Sequence, residues 1–107
     1  MRNEKEAKSA AKFLNELGVK TPIITMGEQG AFLHGHGLIP AFNVGEVVET
    51  TGAGDAFNGG LAVALSEGKS ALEAVRFGCA TASISVTRPG TAPSMPARDE
   101  VEEILLN

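Results

Sequence analysis

The residues best suited to chemistry lie in one glycine-rich string, TGAGDAFNGG, at residues 51–60. Gly52 and Gly54 allow the backbone to approach a ligand closely, and Asp55 follows them directly. An apolar pattern begins just after Asp55, so we expect a helix to open inside the string. Its free N–H groups and the positive end of its dipole would then point at one place. Such a place can hold a developing phosphoryl charge without a lysine.

Asp55 would lie beside the bound phosphate, where a carboxylate can accept the proton of an attacking hydroxyl as general base. The alternative is structural: residues 52–54 form only a turn, and Asp55 caps the helix. Two other phosphate-binding patterns are excluded, since the P-loop needs Gly-Lys-Ser/Thr and the dinucleotide fingerprint needs a third glycine where Phe57 stands. The short motif alone leaves the catalytic and the capping interpretations open.

Helices are predicted at both ends of the chain and after the glycine string. Asn3 and Glu6 resemble a capping pair, and the apolar spacing that follows predicts a helix as far as Gly18. Ser70 and Glu73 form a second capping box, for a helix with so little charge that we expect it to be buried on more than one side. A last helix is predicted over residues 97–106, with an acidic start that suits the helix dipole.

Strands are predicted mainly in the first half. Residues 22–26 read as a short buried strand, residues 31–34 and 38–42 as a hairpin, and residues 44–48 as a further strand leading into the glycine string. His34 and His36 in the hairpin turn allow a metal site, but two exposed histidines are the favoured interpretation. The chain is therefore predicted to be α/β, with too few strands for a complete doubly wound sheet.

Composition excludes several functions. The 107 residues carry a net charge of −4 and five aromatic residues, all Phe, so neither a nucleic-acid surface nor an anionic membrane is an expected partner. The one cysteine, Cys79, excludes an internal disulfide. The N-terminus lacks the apolar core of a signal peptide, so we expect a cytoplasmic protein.

The longer string changes the balance between the two interpretations of Asp55. Residues 51–60 resemble the C-terminal signature of the ribokinase-like, or phosphofructokinase-B type, carbohydrate kinases. Residues 23–31 resemble the strand and turn that contact the nucleotide in that family, and residues 86–96 are similar to the tail of ribokinases in particular. The resemblance covers nearly the whole chain, in the expected order. It implies the C-terminal portion of a ribokinase-like three-layer α/β/α fold, with an incomplete sheet.

The resemblance also implies roles for individual residues. Asp55 would be the catalytic base that meets the sugar hydroxyl, and the backbone amides of Gly52, Ala53 and Gly54 would form the anion hole. The positions matching the nucleotide site are Thr25, Gly27, Glu28, Gly30 and Cys79. Cysteine is a poor hydrogen-bond partner, so for Cys79 a core position is the favoured alternative.

A monovalent-cation site beside the anion hole is a further implication. Its matching positions are Glu49, Thr51, Ser85, Arg88, Gly90 and Ser94, several of which would contribute backbone carbonyls. Hard oxygen ligands suit K⁺. The family also carries an Asn-x-x-Glu motif for magnesium and phosphate, but Asn3 and Glu6 match it without a preceding strand, and helix capping is the favoured interpretation.

The resemblance begins partway along the family's length. The region that supplies most sugar contacts, the lid and the magnesium motif has no counterpart, so we expect residues 1–107 to be a partial kinase domain, the nucleotide-binding half. It would be a truncated product, an isolated domain or half of a split enzyme. Exposed sheet edge and apolar surface would favour a homo-oligomer or pairing with the missing N-terminal half.

Two functions remain open at this point. The first is ATP-dependent phosphorylation of a small sugar, with ribose to ribose 5-phosphate favoured, ATP as donor, Mg²⁺ and possible K⁺ dependence. The second is a non-catalytic nucleotide-binding or interaction remnant that pairs with a partner. Asp55 favours the first, because a binding remnant has no need of a base.

Overall fold

The structure is a computed structural model that describes residues 3–48, 50, 52–88 and 98–106. The elements in chain order are α1 (Glu4–Glu16), β1 (Ile23–Thr25), a 3₁₀ turn (Gly27–Gln29), β2 (Gly30–Leu33), β3 (Gly37–Pro40), α2 (Ala53–Ser66), α3 (Ala71–Ser85) and α4 (Arg98–Leu106). The chain divides between Ala41 and Phe42 into two units. Helices combined with a small three-stranded sheet confirm the predicted α/β class.

The first unit begins with a capped helix. The side chain of Asn3 accepts a hydrogen bond from the N–H of Glu6 at 2.8 Å and donates one to the Glu6 carboxylate at 3.0 Å. This reciprocal pair satisfies an N–H group that the first turn would otherwise leave free. The capping interpretation of Asn3 and Glu6 is therefore confirmed.

The sheet of the first unit is an antiparallel meander in the order β1-β2-β3. Ile24 lies opposite Phe32 in the first pair of strands, and Ala31 lies opposite Ile39 in the second. Helix α1 packs on the sheet through a cluster of buried residues, Ala7, Ala11, Met26 and Phe32. The predicted hairpin is confirmed, with half-buried His34 and exposed His36 in its turn.

The second unit is built on the crossing of α2 and α3. A Cβ atom at Gly78 would lie 2.9 Å from the Phe57 ring, and one at Gly60 would lie 2.5 Å from Oγ1 of Thr81. Any side chain at either position would hold the helices apart. The prediction that α3 is buried on several sides is confirmed, and its start is capped by Ser70, which accepts a hydrogen bond from the N–H of Glu73.

Helix α4 completes the second unit. Val101 is buried in a cluster that includes residues of α3, and two ion pairs hold the helix at its start: Arg98 with Glu67, and Arg88 with Glu100. Among the described residues, no helix is long and apolar enough to cross a membrane.

The strand predicted at residues 44–48 is wrong. In the described part of the chain these residues form no strand. The N–H of Val48 instead donates to the carbonyl oxygen of Val86, at the end of α3, at 2.7 Å. A strand needs a neighbouring strand for its ladder, and here a helix end provides the acceptor.

Candidate functional site

The candidate anion hole is the first turn of α2. Gly52 occupies the N-cap position and has no side chain to cap the helix. The N–H of Ala53 donates to the carbonyl of Thr50 at 3.1 Å, and that of Ala56 donates to the carbonyl of Gly52 at 2.9 Å. Between these two, the N–H groups of Gly54 and Asp55 have no acceptor among the described residues. Free N–H groups at a helix N-terminus suit an anionic ligand.

Gly54 has neither of the usual structural reasons for being glycine. Its φ is not positive, so its backbone conformation is open to any L-residue. A Cβ atom placed on it would meet no heavy atom of the described residues within 4 Å, so their packing does not exclude a side chain. We therefore attribute this glycine to ligand access. Without a side chain at residue 54, a ligand can approach the N–H groups of Gly54 and Asp55 at close range.

Asp55 is the third residue of α2 and is exposed. The alternative that it caps the helix is wrong, since the cap position belongs to Gly52 and Asp55 lies inside the first turn. Its carboxylate forms no hydrogen bond or ion pair within the part of the chain that the structure describes. A carboxylate beside N–H groups that have no acceptor in the described part of the chain is suited to accept a proton from a hydroxyl at a bound phosphate.

The predicted nucleotide residues of the first unit share one turn. Thr25 ends β1, Gly27 and Glu28 lie in the 3₁₀ turn, and Gly30 begins β2. The turn is closed by the N–H of Met26, which donates to the carbonyl of Gly30 at 2.9 Å. Thr25 and Glu28 are exposed and therefore accessible to a ligand.

Gly30 has a structural reason for its residue type. Its φ is +115°, and a Cβ atom would collide with the carbonyl of Ile39 and lie 2.7 Å from the backbone nitrogen of Ala41. No other residue fits there without moving the main chain. The turn therefore needs this glycine whatever binds to it, and the nucleotide role of the position stays a prediction.

Cys79 lies in the middle of α3 and is only 3% exposed. Burial raises the pKa of its thiol to about 11, because the anionic thiolate is poorly solvated in the interior. The thiol therefore stays neutral at physiological pH. The core interpretation of Cys79 requires such a buried position, and its nucleotide role stays a prediction.

Two of the six predicted cation ligands lie among the described residues. Ser85 is buried at the end of α3, and its carbonyl accepts the N–H of Arg88 at 3.1 Å. The guanidinium of Arg88 pairs with Glu100, so only its carbonyl is suited to an ion. Glu49, Thr51, Gly90 and Ser94 lie outside the described residues. The described residues contain no group of three or more His, Cys, Asp or Glu that could hold a metal.

Sequence comparison matches residues 1–98 to the family described as pfkB family carbohydrate kinase. The ribokinase of Haemophilus influenzae is 44% identical over 106 residues, which is 96% of this chain and 34% of that protein. The chain thus spans about a third of the length of this curated relative.

Solved structures agree with this match. The ribokinase of Thermotoga maritima superposes with a TM-score of 0.86 at 51% identity, over 94% of this chain and 34% of that one. The ribokinase of Arabidopsis thaliana, solved with ribose and ATP, gives a TM-score of 0.82 at 39% identity, over 91% of this chain and 32% of that one. The fold is that of the corresponding portion of these kinases.

Proposed function

Because this chain belongs to the pfkB family of carbohydrate kinases, we propose that it carries the phosphoryl-transfer part of an ATP-dependent sugar kinase. The observation that carries the proposal is the first turn of α2. There, two N–H groups without an acceptor among the described residues lie next to an exposed carboxylate, and Gly54 leaves the space in front of them open.

In the proposed reaction, Asp55 accepts the proton of the sugar hydroxyl as its oxygen attacks the γ-phosphorus of ATP. One P–O bond forms to the sugar oxygen, and the bond from the γ-phosphorus to the bridging oxygen of ADP breaks. The products are a sugar phosphate and ADP, with the proton on Asp55. The N–H groups at the start of α2 stabilise the negative charge on the transferred phosphoryl group.

Ribose is the acceptor we propose, giving ribose 5-phosphate. The support is the similarity to ribokinases, one of which was solved with ribose and ATP. ATP is the proposed donor. We expect it to contact Thr25 and Glu28, whose side chains are exposed in the turn between β1 and β2. Mg²⁺ and K⁺ remain expectations of the family resemblance, and no step above is assigned to either ion.

The test measures ATP-dependent phosphorylation of D-ribose by the protein, with Mg²⁺ and K⁺ present, before and after Asp55→Asn. Loss of a general base should lower kcat about 10²- to 10⁴-fold. Asp99→Asn is the matched control, because Asp99 is likewise an acidic residue in the first turn of a helix, α4. Asp99→Asn should leave kcat unchanged.

The alternative function, a nucleotide-binding module without turnover, predicts a different pattern. If folded protein shows no transfer, alone or mixed with the N-terminal part of a ribokinase, while it still binds ATP, the catalytic proposal is overturned and the binding module stands. Equal activity of Asp55→Asn and the wild type would overturn the role of Asp55 alone.

A further inference from the structure

The chain that enters the anion hole is held against α3 at two points. We call residues 42–48 the anchored segment. At its start, the N–H of Phe42 donates to Oγ of Ser83 at 3.0 Å. At its end, the N–H of Val48 donates to the carbonyl of Val86 at 2.7 Å. Between these two points the segment has no helix or strand of its own, so its course depends on them.

Of these two hydrogen bonds, the one to Ser83 involves a side chain, and the one to Val86 joins backbone atoms. Ser83 is 6% exposed, and its hydroxyl also donates to the carbonyl of Cys79 at 2.7 Å. The donated bond fixes the hydroxyl, which leaves its lone pairs directed at the N–H of Phe42. The buried hydroxyl of Thr81, two residues away, donates to the carbonyl of Phe77 at 2.8 Å, within its own helix.

The side chain of Phe42 makes two further contacts within the second unit. Its ring lies under the guanidinium of Arg76, 5.8 Å from the centroid, and packs against the buried cluster of the second unit. From Val48 it is four residues to Gly52, the N-cap of α2. Thr50, two residues after the anchored segment, accepts the N–H of Ala53 at 3.1 Å, so a shift of the segment would bear on the first turn of α2.

We propose that Ser83 is a positioning residue for phosphoryl transfer, because its buried hydroxyl ties the anchored segment to α3 and so sets the place of the anion hole. This inference rests on the proposed function. Ser83→Ala keeps the helix but leaves the N–H of Phe42 without its acceptor. Since alignment matters most in the transition state, kcat should fall about tenfold while KM for ATP changes less than about threefold.

Two further variants separate positioning from simple stability. Ser83→Thr keeps the hydroxyl and should recover most of kcat. Thr81→Val removes a buried hydroxyl two residues away whose hydrogen bond among the described residues is to its own helix, and it should leave kcat within about twofold of the wild type. Equal loss of kcat in Ser83→Ala and Thr81→Val, with both proteins folded by circular dichroism, would overturn the proposal, as would an unchanged kcat in Ser83→Ala.

Amide hydrogen exchange provides a readout that does not depend on activity. In Ser83→Ala, the amides of Phe42 and Ala53, which donate to Oγ of Ser83 and to the carbonyl of Thr50, should exchange faster than in the wild type, while Thr81→Val should leave both rates unchanged. If the wild type shows no transfer, the proposed function fails, yet faster exchange at both amides would still support the link from Ser83 to the anion hole. Unchanged exchange at Ala53 in Ser83→Ala would overturn that link.

Discussion

Replacing Gly54 by alanine tests the anion hole separately from the fold. A Cβ atom there meets no atom of residues 3–48, 50, 52–88 and 98–106 within 4 Å, and φ is not positive, so the methyl group clashes with none of them. Alanine is favoured over glycine in a helix by about 0.5–1 kcal/mol. For a chain of this size, that gain corresponds to a rise in Tm of about 2–8 °C.

The same methyl group should harm phosphoryl transfer. Cβ atoms on a helix tilt towards its N-terminus, so the new methyl would project into the space in front of the free N–H groups of Gly54 and Asp55. A phosphoryl oxygen would then lose one charge-assisted hydrogen bond. Such a bond is worth about 1.5–3 kcal/mol, which corresponds to a loss of about 10- to 150-fold in kcat/KM.

The assay measures Tm and ribose phosphorylation on the same preparations of wild type and Gly54→Ala. Val63→Ala is the control: Val63 is 42% exposed near the other end of α2, and alanine there raises helix propensity without approaching the N-terminus. It should leave kcat/KM unchanged. Full activity in Gly54→Ala would refute the anion hole at this turn. A lower Tm would refute the claim that the fold has no need of this glycine.

Two further predictions concern the second unit. Gly78→Ala places a methyl group 2.9 Å from the Phe57 ring and 3.0 Å from the Phe57 carbonyl, so urea unfolding should show a loss of about 1–3 kcal/mol, and no loss would mean that the helices can separate freely. Arg98→Gln should change the pH dependence of Tm. The hydrogen bond from Arg98 holds the pKa of Glu67 below its usual value of 4.5. Its stabilising effect is therefore complete above about pH 4.5 and is lost as the pH falls through the lowered pKa. Wild type and Arg98→Gln should differ in Tm at about pH 7 and converge as the pH falls through the lowered pKa of Glu67, and a constant difference would contradict this origin.

Capped helices were predictable because capping is local chemistry. Asn3 with Glu6 and Ser70 with Glu73 are three residues apart, and both pairs form the predicted hydrogen bonds. The strand predicted at residues 44–48 failed for the opposite reason. Whether a short apolar stretch becomes a strand depends on a distant neighbour, and here the neighbour of Val48 is the end of a helix.

In the candidate site, too, the sequence predicted the features that depend on neighbouring residues and missed one that depends on a distant residue. The glycine string correctly predicted that a helix begins there with Asp55 in its first turn. This was possible because the residues that indicate a helix start lie within a few positions of one another. Ser83 was not singled out. A serine in the run of small residues on α3 looks like any other, and its bond to Phe42 joins positions 41 residues apart. No local spacing carries that information, although a buried hydroxyl always requires a partner.

The glycines of the string show why sequence alone could not separate packing from chemistry. Gly60 and Gly54 stand in one motif and in one helix, and their residue type is the same. At Gly60 the close approach of Thr81 excludes a side chain, so the fold alone explains the residue. At Gly54 the fold would accept alanine and gain from it. A residue that costs stability and serves no packing purpose is best explained by its ligand, which places the argument for phosphate binding on Gly54 rather than on the motif as a whole.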